Sequence, residues 1–136
     1  MKELILYYSF GGTTKRQAEE LAEKDGAELR EIKEVKKRNG FTVWIPGVFQ
    51  AGRNSKTAIE PLGDLDSYDQ IVLAGPIWAG NVAPAVNSAA ELLPKDSKVA
   101  LLLVSGSGKE YGEKLAAQIK AGGSEVIEVT NIKTGK

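Results

Sequence analysis

Three short apolar runs, Leu4 to Tyr8, Ile71 to Ala74 and Val99 to Val104, show almost no polar alternation, and each is followed at once by Ser or Gly. A strand with one face in water alternates; a strand covered on both faces does not, so these runs read as inner strands of a parallel sheet. Ala27 to Ile32 and Glu125 to Thr130 alternate charged with apolar residues and suit the edges of the same sheet. Helical spacing fills the intervals. Thr14 and Gln17 have capping-box spacing, with Ala18, Leu21 and Ala22 on one face behind them. Pro84 marks a second helix start, aligns Ala83, Val86, Ala90 and Leu93, and gives way at Pro94. A third pattern carries Leu115, Ala116 and Ile119 and stops at Gly122-Gly123, as a left-handed C-cap would.

Alternation of strand and helix predicts an α/β fold, a doubly wound five-stranded parallel sheet with helices on both faces. With 136 residues the chain is expected to form a single domain, residues 1–136. Residues 33–65 fit least well. They include Lys36-Lys37-Arg38 and the aromatics Phe41, Trp44 and Phe49, with one short helix expected within Val48 to Thr57. Residues 31–60 carry six basic and three acidic groups, whereas residues 61–94 carry four acidic and no basic ones. A solvated face accounts for both.

Composition narrows the chemistry. The chain has no Cys and no His, which removes thiolate nucleophiles, disulfides, Cys or His metal sites and imidazole bases. Neither a catalytic side chain nor a metal site is expected. Eighteen basic and eighteen acidic residues cancel, so no overall field draws in nucleic acid or anionic lipid. The longest apolar run, Val99 to Val104, is far short of the roughly 20 residues that cross a bilayer. No export signal follows Met1-Lys2-Glu3, and the expectation is a soluble, cytoplasmic protein.

Three loops carry the functional signal. Ser9-Phe10-Gly11-Gly12-Thr13-Thr14 lies between the first strand and the first helix. Its glycines let backbone N–H groups converge, its hydroxyls can donate, and a helix N-terminus adds positive potential. A phosphate cradle is the reading these features support; a plain turn capped by Thr14 is the alternative. Neither the mononucleotide P-loop ending nor the dinucleotide three-glycine spacing is present. Gly75-Pro76-Ile77-Trp78-Ala79-Gly80-Asn81 follows the central strand and offers Trp78 as a flat apolar plate, for an aromatic ligand or for the sheet edge itself. Ser105-Gly106-Ser107-Gly108 follows the next strand and could wrap a ligand edge with backbone groups. The topology gathers all three loops at the carboxyl ends of the strands.

Tyr7-Tyr8-Ser9-Phe10-Gly11-Gly12-Thr13-Thr14 resembles the FMN phosphate loop of the flavodoxin family. Tyr68-Asp69-Gln70-Ile71, with Gly75-Pro76-Ile77-Trp78-Ala79-Gly80 and Ala83-Pro84-Ala85-Val86 behind it, resembles the family's Tyr-Asp strand and flavin-stacking loop. This second match is the more specific, and the resemblance runs from about Lys2 to Thr130. It implies a flavodoxin-like fold and one non-covalent FMN. Ser9, Phe10, Gly11, Gly12, Thr13 and Thr14 would hold the phosphate. Pro76, Ile77, Trp78, Ala79, Gly80 and Asn81 would line the isoalloxazine, with the Gly80 peptide near N5. Ser105, Gly106, Ser107 and Gly108 would meet the pyrimidine side or the ribityl chain.

The sequence also departs from that family. Gly11 and Thr13 replace the commoner Thr and Asn, Lys109 stands where the third loop usually has an acidic residue, and Tyr111 falls about one position early. The resemblance implies a terminal helix after the last strand, which is expected to be missing here because the sequence stops at Lys136, and the neutral charge differs from the acidic electron carriers. The function implied is electron transfer between redox partner proteins, a reductase and an acceptor. An FMN-dependent NAD(P)H or quinone oxidoreductase and a flavin-free binding module on the same fold are the alternatives. A phospho-acceptor receiver is excluded, because its clustered acidic residues are replaced by Tyr7-Tyr8-Ser9 and Gly75-Pro76.

Overall fold

A computed structural model describes residues 2–9, 12–34, 59–78, 81–107 and 109–133. In chain order the elements are β1 (Glu3–Tyr7), α1 (Thr13–Asp25), β2 (Glu28–Glu31), β3 (Gln70–Trp78), β4 (Asn81–Val82), α2 (Pro84–Glu91), β5 (Lys98–Ser105), α3 (Glu113–Ala121) and β6 (Glu125–Lys133). The sheet runs β2-β1-β3-β5-β6, with every neighbouring pair parallel. The expected five-stranded parallel sheet is therefore present. The short β4 adds to it, pairing antiparallel with the end of β3.

Side chains from the inner strands go alternately to two apolar layers, which is why their sequences are continuously apolar. Leu4, Leu6, Ile71, Leu73, Val99, Leu101 and Leu103 pack with Ala85, Val86 and Ala89 of α2 and with Leu115 and Ile119 of α3. Ile5, Tyr7, Val72, Ala74, Ala100 and Leu102 face the other way, toward Ala18, Leu21 and Ala22 of α1. Leu4, Ile5, Leu6 and Leu73 have no exposed surface. At about 25 cal/mol per Å² each such side chain contributes roughly 1.5–3 kcal/mol.

Several boundaries differ from the sequence expectation. Helix α1 starts one residue before Thr14 and is capped by Gly12 at φ 94°, with no side-chain capping bond, so Thr14 lies buried in the first turn and the capping-box reading is incorrect. Strand β3 continues through Gly75-Pro76-Ile77-Trp78, which had read as loop. Pro76 is accommodated there because β3 has passed its last pair with β1, at Ala74, so that side of the strand needs no N–H donor at 76; its carbonyl accepts the Ala83 N–H at 3.1 Å. Helix α2 ends at Glu91, ahead of Leu93. After α3 it is Gly123, at φ 101°, that takes the left-handed conformation, while Gly122 stays right-handed.

The expected helix within Val48 to Thr57, the basic run at 36–38, and Phe41, Trp44 and Phe49 lie outside the described residues. Their flanks meet: Glu34 bridges Ile59 antiparallel, and the Glu60 N–H donates to the Lys33 carbonyl at 2.7 Å. Arg30 of β2 holds the returning chain, donating to the carbonyls of Leu62 and Asp64 at 2.9 and 2.7 Å.

Candidate functional site at the carboxyl ends of the strands

Register brings the three loops together. Tyr7 pairs with Ala74, and Pro76 pairs with Val104, so β1, β3 and β5 end along one rim of the sheet. Ser9 follows β1, Ile77 and Trp78 close β3, and Ser105 closes β5. Of the predicted site residues, Ser9, Gly12, Thr13, Thr14, Pro76, Ile77, Trp78, Asn81, Ser105, Gly106 and Ser107 are placed on or next to this rim. Phe10, Gly11, Ala79, Gly80 and Gly108 lie outside the described residues.

At the first loop, Ser9 Oγ accepts the Gly12 N–H at 2.9 Å, which folds the chain back on itself just before the helix. The first i→i−4 bond of α1 is Arg16 N–H to the Gly12 carbonyl, at 3.0 Å. The N–H groups of Thr13, Thr14 and Lys15 therefore have no acceptor inside the helix. No acidic residue stands in that first turn, so no side chain of the turn offsets the positive end of the helix. Such a helix start can receive an anion.

At the second loop, β3 and β4 form a hairpin in which Ile77 pairs with Val82 and Trp78 with Asn81. The Trp78 ring meets the Tyr8 ring edge-on, with centroids 5.9 Å apart and planes at 75°. Tyr8 is itself buried, and its phenol donates to Glu34 Oε1 at 2.8 Å. Burial, and then that bond to the carboxylate, push the phenol well above its ordinary value. Tyr8 thus stays a neutral donor. This contact between Tyr8, Glu34 and Trp78 was missed from sequence; the available signal was an aromatic at the very end of an inner strand.

Gly75 has a different task from its loop neighbours. A Cβ there would lie 2.3 Å from Val86 Cγ2, so the missing side chain is what lets α2 lie against β3. At the third loop, Ser107 Oγ and Tyr111 Oη are 2.9 Å apart, and the Lys109 N–H donates to Ser107 Oγ at 3.2 Å. Tyr111 is held further by its N–H to Asn131 Oδ1, at 2.9 Å, and its ring packs on the main core.

A cavity of about 380 Å³ lies elsewhere, between α1 and the sheet, lined by Glu3, Asp25, Gln70, Leu102 and Glu128 among others and by none of the rim residues. There burial, then the neighbouring Asp25 carboxylate, raises the Glu3 carboxyl above its ordinary value, although Gln70 donates to it at 2.7 Å. Among the described residues no cluster of three or more potential ligands could hold a metal ion. No helix among them is long and apolar enough to cross a membrane.

No protein-family model and no curated protein matches the sequence. Solved structures do. A flavoprotein from Lactobacillus acidophilus NCFM, determined in complex with FMN, is 25% identical, with a TM-score of 0.75 over 96% of this chain and 92% of that one. The two-electron reduced flavodoxin of Megasphaera elsdenii is 19% identical, with a TM-score of 0.60 over 96% of this chain and 85% of its own. The oxidised flavodoxin 2 of Bacillus cereus is 18% identical, with a TM-score of 0.56 over 99% of this chain and 86% of its own. The strand order, the helices on both faces and these likenesses agree with the resemblance read from the loops: the chain has the flavodoxin-like fold.

Proposed function

We propose that the chain binds one FMN at this rim and acts as an electron carrier between protein partners. The observation that carries the reading is the start of α1, where Ser9 folds the loop onto Gly12 and three N–H groups are left facing a position with no acidic side chain in the first turn. A phosphate monoester suits that donor set, since backbone and hydroxyl groups can bind it without arginine. The fit extends to the second loop, where Tyr8 holds Trp78 as an apolar wall beside the β3–β4 hairpin. The likeness to an FMN complex at 25% identity supports the same assignment.

When bound, FMN supplies the uptake and release of one or two electrons, which no Cys or His of this chain can provide. The protein's residues bind and orient. The N–H groups of Thr13, Thr14 and Lys15 would fix the phosphate end, with Gly12 held in place by Ser9; Trp78 and Asn81 would bound the ring, and Ser105 to Ser107 would approach its remaining edge. The neutral Tyr8 phenol, held by Glu34, backs the Trp78 wall.

Titration with FMN and with riboflavin, followed by flavin absorbance and fluorescence, tests the assignment. Loss of a phosphate held by several charge-assisted hydrogen bonds should weaken riboflavin by on the order of 100-fold or more. Equal affinity for the two would remove the phosphate role, and no binding of either would sink the flavin reading. Mixing the loaded protein with NADPH and a quinone tests the carrier role, since turnover without a separate reductase would make it an oxidoreductase.

A further inference from the structure

Without Cys, the side chains of this protein that most readily give up a single electron are its four tyrosines and two tryptophans. The tyrosines have unlike surroundings. Tyr68, beside the amino end of β3, donates to Glu28 Oε1 at 2.6 Å, but Lys2 and Arg30 lie over its ring, at 5.0 and 5.6 Å, and two cations oppose removal of an electron from it. Tyr111 has the Ser107 hydroxyl at 2.9 Å, and a hydroxyl is a poor acceptor of a whole proton. Tyr7 faces the layer under α1. Among the described tyrosines, Tyr8 combines a ring contact to a tryptophan with a carboxylate at its hydroxyl.

We infer that Trp78, Tyr8 and Glu34 form a relay that carries an oxidising equivalent from the rim into the protein. Once a one-electron oxidant at the rim has taken an electron from the Trp78 indole, the Tyr8 phenol returns one to it and passes its proton to Glu34 Oε1. The step balances. The indole is restored, the phenol O–H bond breaks to leave a neutral phenoxyl radical, and the carboxylate becomes a carboxylic acid.

Geometry suits both transfers. The Trp78 and Tyr8 rings meet edge-on with centroids 5.9 Å apart, and the proton has a 2.8 Å hydrogen bond to cross, within the reach expected of a working base. Burial assigns the roles. Trp78 is partly exposed at the end of β3, where an oxidant can reach it, while Tyr8 is 6% exposed. Loss of an electron alone would leave a positive charge on that buried phenol, and Glu34 removes the cost by taking the proton. Glu34 is itself partly exposed, so the proton can pass on to water. With an isoalloxazine against Trp78, a consequence that rests on the flavin reading above, the radical would settle on a shielded phenol instead of on the indole that walls the cofactor.

Pulse radiolysis of the full chain without flavin tests the relay, because the azide radical oxidises indole in preference to phenol. Trp44→Phe leaves Trp78 as the one indole of the chain. In that background the tryptophan radical band should decay as the tyrosyl band rises, at a rate independent of protein concentration. Tyr8→Phe should abolish this phase, and Tyr111→Phe should leave it intact. Glu34→Gln keeps an acceptor oxygen but cannot take up the proton, so it should slow the transfer on the order of tenfold, and heavy water should slow the parent by about twofold. The last two measurements decide the matter even if Tyr8→Phe fails to fold. A phase that keeps its rate in Tyr8→Phe, an unchanged rate in Glu34→Gln or in heavy water, or no transfer at all would overturn the relay. No flavin is present, so each result stands apart from the outcome of the FMN titration.

Discussion

Replacing Gly75 by alanine places a methyl carbon 2.3 Å from Val86 Cγ2 and 3.5 Å from its Cβ. Ordinary carbon contacts lie near 3.5–4.0 Å, so the overlap exceeds about 1 Å. Relief is difficult. Val86 has no exposed surface and sits in α2, where a β-branched side chain strongly prefers one rotamer, and β3 is hydrogen-bonded on both sides. Overpacking of this kind costs about 1–3 kcal/mol. For 136 residues, with an unfolding entropy of about 2.1 cal/mol/K per residue, the midpoint should fall by about 4–10 °C. Thermal and urea unfolding of Gly75→Ala, Val86→Ala and the double variant forms the decisive cycle. With the valine methyls gone, Gly75→Ala should cost less than about 0.5 kcal/mol, because its methyl enters the space vacated. An equal cost in both backgrounds, or no cost in the parent, would refute the packing role. Below the midpoint Gly75→Ala should keep its FMN affinity, and a tenfold loss would instead place Gly75 in direct contact with the ligand.

Trp78→Ala should weaken FMN binding by roughly tenfold or more, read by fluorescence titration, with the flavin absorbance band shifted as the aromatic wall is lost. Tyr8→Phe removes the bond to Glu34 and should cost about 1 kcal/mol in chemical denaturation, with a smaller effect on FMN than Trp78→Ala has. Gly12→Ala meets no atom within 4 Å, so its cost of about 1 kcal/mol should come from the φ of 94° alone, and Gly12→Asn should recover part of it. Glu3 holds its proton more tightly folded than unfolded, so its contribution favours the fold below the ordinary value of 4.5 and is lost as pH rises through the higher folded value. Glu3→Gln should therefore be more stable than the parent at neutral pH and flatten the stability profile just above pH 4.5; an unchanged profile would remove the burial and Asp25 effect.

The inner strands were legible because burial on both faces leaves an unmistakable trace: Leu4 to Tyr8 has no room for alternation, and the structure puts its residues into two apolar layers. Local signals misled where two outcomes share one composition. Gly75-Pro76 reads as a turn, yet glycine is needed for the approach of α2, and proline can stay because the pairing of β3 with β1 ends at Ala74, before a donor is needed at 76. Thr14 with Gln17 has capping spacing, but the helix starts earlier, at Thr13 behind a left-handed Gly12, and Thr14 is buried in the first turn. The meeting of Tyr8, Trp78 and Glu34 joins residues up to seventy positions apart. Distance of that kind is set by strand order, which no local pattern carries.

That same contact explains how glycine-rich loops can present a defined surface. Loops at the ends of strands are the least constrained parts of such a fold, and a ligand that must order them loses affinity by the entropy involved. Here the roots of the loops are tied to the core. Tyr8 is fixed by its N–H to the Ala74 carbonyl, at 3.0 Å, and by its phenol to Glu34, so the wall it gives Trp78 exists before any ligand arrives. Ser9 fixes Gly12, and the Ser107 and Asn131 contacts fix Tyr111 at the start of the segment leading into α3. Each tie uses a neutral or internally paired group, and no acidic residue stands in the first turn of α1 to offset its positive end. The preference proposed for an anionic over a neutral flavin would then follow from the absence of an acid in that turn as well as from its free N–H groups. Placing a carboxylate in that first turn by Thr13→Asp should consequently cost FMN far more affinity than riboflavin, collapsing the preference between them.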